Sequence, residues 1–414
     1  MSEQGLALNV IVNVEERYTV KKASTAALAT IALAATLGLG AGPAHSWGNT
    51  KPLPTPGTAA TLADGLLSPL RIALGQGKSV DVAQSFAGSV DRIRSDGSIQ
   101  QLDAMPGYSS GSVSRFGGTT YYTMTVGAGE GVPAANQSLL KSIDRKGNVR
   151  TITDIAEYER AANPDGGTIY GFRDLDEECL AAQVNLGPFA RYQGAPDSNP
   201  YATVAFGRHV LVADAGANAI FKVDRRGNVS TVAVLPAIPV EITEENAMAL
   251  GINPCAVGFT YYLEPVPTDI EYGWNGKLYV TSLPGGPEDP SLGALGSVFS
   301  VNPISGKTKL VASGLASPTG VAVDGRGNIY VAELFANRIS VIPRGSSAAQ
   351  PLLETTLPGD VELRGSTLYA TTDVLPGEGT PPDGKVIRVK LQGGHGWDRS
   401  GAEPTGDKAD ANQD

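Results

Sequence analysis

Six copies of one strand-and-turn pattern, polar turns of recurring chemistry between the strands, and an N-terminal segment that repeats the end of a unit predict an all-β fold, a six-bladed β-propeller. The plainest copy spans residues 315–351. It holds three short runs rich in Val, Ile and Tyr (321–323, 329–332 and 338–342), divided by Asp324-Gly325-Arg326-Gly327-Asn328 and by a second polar turn around Ala336-Asn337. Such runs read as antiparallel strands joined by tight turns. The pattern returns at 209–229 and at 277–306, with weaker copies at 80–97, 120–147 and 366–391. One unit cannot bury its own faces, so the copies are expected to stack around an axis.

Taken in order, the chain opens with a leader, 1–46. Lys21-Lys22 precede a small apolar run at 26–39, a Gly-Pro break and Ala44-His45-Ser46. A basic start, a short apolar stretch and a small-residue cleavage site read as a secretory signal peptide, too short and alanine-rich for a membrane span. The signal begins late, and translation starting at Val20 would bring its basic residues to the front. N-terminal sequencing that finds residues 1–19 in the product contradicts that start. Residues 47–57 read as a linker and 392–414 as a disordered tail. The propeller is expected over 58–391. Residues 58–65 (TAATLADG) stand before Leu66-Leu67-Ser68-Pro69 as 309–314 (KLVASG) stand before Leu315-Ala316-Ser317-Pro318. That match predicts that the N-terminal strand closes the last blade, removing an open edge.

Two insertions interrupt the period, about 154–196 and 237–262. The first contains helical pieces (DIAEYERAAN and LDEECLAAQ) and the second is rich in turns. Each follows the outer strand of a blade, which places both on one face. Each also carries one of the chain's two cysteines, and in an exported chain Cys179 and Cys255 are expected to pair.

The net charge is −10 with no basic patch, which argues against nucleic acid and anionic membrane surfaces as partners. Localisation outside the cytoplasm, secreted or in the cell envelope, and a monomeric state are expected.

Residues that open the innermost strands ring the channel mouth of a propeller: Leu70 and Arg71, Asn199 and Tyr201, Thr268 and Asp269, Thr319, Gly359 and Asp360. Of these, Arg71, Asn199, Tyr201, Asp269 and Asp360 are candidate ligand-binding residues. Asp269, Asp360 and Asn199 would supply oxygens to calcium or another divalent cation, whereas Arg71 would pair with the carboxylates instead. Aromatic residues gather in the insertions, with Tyr192, Tyr261 and Tyr262 as the candidates for contact with a flat ligand. Asp214, Glu333 and Asp373, each before a turn, read as caps of that turn. His45, His209 and His395 are the only histidines, and none is placed for a Ser-His-Asp or lyase centre.

The unit resembles NHL-like repeats. Asp197-Ser198-Asn199-Pro200-Tyr201, the run ending Asp214-Ala215-Gly216-Ala217-Asn218, Pro267-Thr268-Asp269-Ile270-Glu271 and Asn163-Pro164-Asp165-Gly166 together resemble the ScyD/ScyE family. The resemblance implies an exported propeller whose founding members are encoded beside cyanobacterial scytonemin biosynthesis, with no established activity. Lactonase-like propellers of the senescence-marker type place Asn or Asp directly after the strand-opening Pro. Here those positions hold Leu70, Tyr201, Thr268, Thr319 and Gly359, which weakens the metal-hydrolase expectation. The expected function is therefore non-catalytic binding of a small molecule, a glycan or a protein segment. The alternatives are a metal-assisted hydrolase or lyase and a protein-interaction platform.

Overall fold

The computed structural model describes residues 52–286, 294–377 and 379–393. The leader, the first part of the linker and most of the tail lie outside the described residues. Six four-stranded antiparallel sheets form the blades, with inner strands Pro69–Leu74, Ser109–Phe116, Pro200–Phe206, Pro265–Tyr272, Pro318–Val323 and Val361–Arg364 for blades 1 to 6. Each inner strand touches the next, and blade 6 touches blade 1, so the ring closes. The outermost strand of blade 6 is the N-terminal Thr55–Leu66, antiparallel to Gly384–Gln392 as the sequence predicts. It begins inside the stretch read as linker, because Thr55 and Pro56 find partners in Gln392 and Leu391.

The turn chemistry explains why these segments become hairpins. Asp224 accepts the amides of Arg226 (2.7 Å) and Asn228 (3.0 Å), and Gly227 takes a φ of 87° that a side chain would resist. Asp144 and Asp324 repeat the arrangement in blades 2 and 5. Between blades, the faces of adjacent sheets bury apolar layers. Ala202, Leu211 and Ile220 of blade 3 meet Ile270, Val280 and Phe299 of blade 4, for example.

Both insertions leave the propeller at the same face. The helical pieces form as α1 (Ile155–Ala162) and α2 (Glu177–Ala181), and the second insertion adds α3 (Glu244–Leu250). The sequence did not announce a seventh four-stranded sheet, in which Ile169–Phe172 and Arg191–Gln193 of the first insertion pair with Ile238–Glu241 and Thr260–Leu263 of the second. The expected disulfide, Cys179–Cys255, joins the same two segments with a Cα–Cα distance of 5.9 Å. Phe172, Leu175, Ile242, Ile252 and Ala256 give the joined insertions a small core of their own.

Candidate functional site

Each inner strand starts at the insertion face and runs down the channel. Four strands carry a bulge after a Pro near their start that turns the second residue after that Pro inward: Arg71, Ala202, Asp269 (after Pro267) and Gly320. Gly320 makes room for Asp360, since a Cβ there would come within 2.7 Å of the Asp360 backbone.

Arg71, only 4% exposed, closes the channel at this level. Its Nε donates to the Tyr201 carbonyl (2.8 Å), Nη1 to those of Leu70 (2.7 Å) and Gly359 (3.3 Å), and Nη2 to that of Thr268. Asp269 and Asp360 lie beneath it. Asp269 accepts the amides of Ile270 (2.8 Å) and Val321 (2.7 Å), and Asp360 those of Ile72 (2.8 Å) and Val361 (2.7 Å). Each carboxylate thus latches its own blade to a neighbour. Thr268 and Thr319 do the same by donating to the carbonyls of Pro318 (2.7 Å) and Pro358 (3.2 Å).

This donor set does not fit a divalent cation. All four oxygens of Asp269 and Asp360 already accept backbone hydrogen bonds, Arg71 supplies the positive charge, and Asn199 lies elsewhere, with its amide on Asp214 (2.7 Å). Among the described residues, no three His, Cys, Asp or Glu side chains are grouped for metal binding.

Below the plug, a cavity of about 310 Å³ reaches toward the opposite face, lined among others by Glu271, Glu362, Arg115 and Arg364. Burial, with the nearby Asp269 carboxylate, pushes Glu271 up to about 8. Burial and the charges of Glu271, Asp360 and Asp269 raise Glu362 well above the usual carboxylate range.

The insertion face holds a different site. Leu186, Phe189, Tyr192, Tyr261, Leu263 and Glu264 line a mostly apolar cavity of about 420 Å³, in the size range of small-ligand pockets. Tyr192 packs edge-to-face on Phe189 (5.4 Å between centroids) and against Tyr170 (5.6 Å). Tyr261 packs edge-to-face on Phe172 (5.0 Å), and its hydroxyl donates to the Phe189 carbonyl (2.8 Å). Among the described residues, Glu264 is the single charged side chain of the lining. Asn218 holds it from the blade 3 turn (Nδ2 to Oε2, 3.0 Å).

Of the predicted residues, Tyr192 and Tyr261 come together in this pocket. Tyr262 does not. Strand alternation turns it to the other side of the sheet, where the Arg173 guanidinium lies 3.6 Å from its ring centre. Arg71, Asp269 and Asp360 come together in the channel with the Tyr201 carbonyl, while Asn199 stands apart. Asp214 is the turn cap its position suggested, accepting the Ser198 hydroxyl (2.7 Å) and the Ala217 amide (3.2 Å). Glu264, Glu271 and Glu362 were not singled out. The last two had a signal, since Pro267-Thr268-Asp269-Ile270-Glu271 and Pro358-Gly359-Asp360-Val361-Glu362 share one pattern whose period of two puts Asp and Glu on one face.

The fold is similar to those of solved propellers. The PQQ-bound form of aldose sugar dehydrogenase from Streptomyces coelicolor matches with a TM-score of 0.50 at 15% identity, over 81% of this chain and 98% of that one. A protein of unknown function from Bacteroides thetaiotaomicron matches with a TM-score of 0.50 at 11% identity, over 81% and 76%. A gluconolactonase from Xanthomonas campestris matches with a TM-score of 0.49 at 11% identity, over 80% and 89%. At these identities the first two likenesses show the fold alone. No family model matches the chain, and no curated protein matches it.

Proposed function

We propose that this chain is a binding propeller whose ligand is a small ring-containing molecule held in the insertion pocket. Its apolar body lies against Leu186, Phe189, Tyr192 and Leu263, and a hydrogen-bond donor on it meets Glu264. The observation that carries this reading is the apolar, tyrosine-lined cavity, built from two segments distant in sequence and joined by a disulfide. The channel mouth on the same face is filled by Arg71, so the pocket is the recess left for a ligand there. The disulfide fits an exported, extracytoplasmic protein, and among the described residues no helix is long and apolar enough to cross a membrane. The likeness of Asn163-Pro164-Asp165-Gly166 and Asp197-Ser198-Asn199-Pro200-Tyr201 to the ScyD/ScyE pattern supports membership of that family, and a monomer is our working state.

Titration with Nile red, a neutral aromatic dye, tests the pocket. We expect saturable 1:1 binding that Tyr192→Ala weakens by about tenfold, through lost ring contact, and that Glu362→Gln in the opposite cavity leaves unchanged. Absence of saturable binding, or equal binding by Tyr192→Ala, contradicts the proposal.

A further inference from the structure

Eight buried side-chain polar atoms lack a hydrogen-bond partner among the described residues, and five of them belong to four residues of the first insertion and the blade 3 turn. They are both carboxylate oxygens of Glu159 and the Oδ1 atoms of Asn163, Asp165 and Asn218. All five are acceptors. Glu159 is 0% exposed, and Asp165 and Asn218 are each 1% exposed. Burying an acceptor without a donor is costly, and burying an unpaired carboxylate more so.

The four side chains come from two parts of the fold, with Asn218 hydrogen-bonded to Asp165 and the Glu159 carboxylate near enough to Asp165 to feel its charge. Glu159 lies in the last turn of α1, and Asn163 ends that helix four residues later in a left-handed conformation (φ 35°), its amide accepted by Glu159 O at 2.7 Å. The Asn163 side chain is fixed by donation from Nδ2 to the Gly194 carbonyl (3.2 Å). Gly194 also lies against Asp165: a Cβ there would fall 2.3 Å from both Asp165 oxygens, so only glycine leaves room. Asn218, from the blade 3 turn, spends both hydrogens of its amide on Asp165 Oδ2 (2.9 Å) and Glu264 Oε2 (3.0 Å), leaving its own oxygen unpaired.

Among the described residues no ion pair answers this cluster. Asp165, Asp197 and Asp214 all face Glu159, and none of the ion pairs among the described residues includes any of these four or Glu264. The Asp197 amide approaches Glu159 without reaching hydrogen-bond geometry.

We propose that Glu159, Asn163, Asp165 and Asn218 form a site for a hard divalent cation, calcium, at the junction of the first insertion and blade 3. Carboxylate and amide oxygens are the ligands calcium takes, in an irregular shell that tolerates a two-oxygen carboxylate such as Glu159; magnesium demands a stricter octahedron. Two carboxylates and two amides make the set, which is why it differs from the clusters of three acidic or sulfur and imidazole ligands absent among the described residues. A single proton on the cluster would supply one donor and leave the other acceptors unanswered. Through Asn218 the site also sets the position of Glu264 in the ligand pocket.

Tyr170 donates to Asp165 Oδ2 (3.1 Å), so its ring is placed to sensitise a lanthanide bound there. The test uses the full chain stripped with EDTA. Terbium should give tyrosine-sensitised luminescence saturating at one ion per chain, displaced by calcium and not by magnesium at the same concentration. Calcium should raise the melting temperature. Glu159→Gln should lose both responses and melt below the wild type in calcium, and Asp165→Asn should weaken terbium binding by on the order of tenfold. A melting temperature indifferent to calcium and EDTA, with Glu159→Gln at least as stable as the wild type, overturns the proposal, because replacing an unpaired buried carboxylate by an amide then only relieves a cost. Terbium binding that survives in both variants also overturns it, by placing the ion elsewhere.

Discussion

Replacing Arg71 by Met lowers the stability of the propeller by about 3–5 kcal/mol, the usual cost of removing one partner from a buried charged network. The guanidinium serves the carbonyls of Leu70, Tyr201, Thr268 and Gly359, which belong to blades 1, 3, 4 and 6. It also faces Asp269 and Asp360, whose charge it lowers in cost. Met fills similar volume and answers none of this. Arg71→Lys recovers only part of the loss, because an ammonium is a point donor and cannot reach carbonyls spread across a ring. Thermal unfolding followed by circular dichroism should place the Met variant roughly 10 °C below the wild type. An unchanged melting temperature contradicts the reading of Arg71 as the plug that ties the blades together.

The second large effect is a loss of stability as the pH rises from about 5 to about 9. Glu271 ordinarily titrates at 4.5, and in the folded chain burial and the Asp269 carboxylate move it up to about 8. Below about 4.5 both folded and unfolded chains hold the proton and the full stability is present. Between these values the unfolded chain has released its proton while the folded chain keeps it, so ionisation favours unfolding progressively and the loss is complete above about 8. Glu362 and Asp360 shift in the same direction. Because these neighbours share protons, the combined effect is on the order of 2–4 kcal/mol rather than a sum of separate shifts. Urea midpoints at about pH 5.5 and about pH 8.5 measure it, and Glu271→Gln should flatten much of the slope. A midpoint that rises with pH contradicts the assignment.

The blades were legible because their turns repeat a chemistry. Asp224 and Asp324, each with Gly three residues on, mark hairpins whatever the strands around them do. The closing strand was legible because residues 58–65 copy the approach to a strand-opening Pro. The insertion sheet was not. Its strands are three or four residues long, and Phe172 pairs with Tyr261 across a wide gap in sequence, so no local period announces it. Without that sheet Tyr261 and Tyr262 looked equivalent, although neighbours on a strand face opposite ways. The cation site was hidden for a related reason: Glu159 and Asn163 read as parts of a polar helix end, and only the fold brings Asn218 against Asp165.

The most direct test of the binding account is hydrogen–deuterium exchange of the purified protein with and without saturating Nile red. The account predicts protection confined to the insertion sheet, in Arg191–Gln193, Ile238–Glu241 and Thr260–Leu263, and in the segment around Leu186. Protection instead along the inner strands Ser109–Phe116, Pro200–Phe206 and Val361–Arg364 would place the ligand in the channel cavity and contradict it.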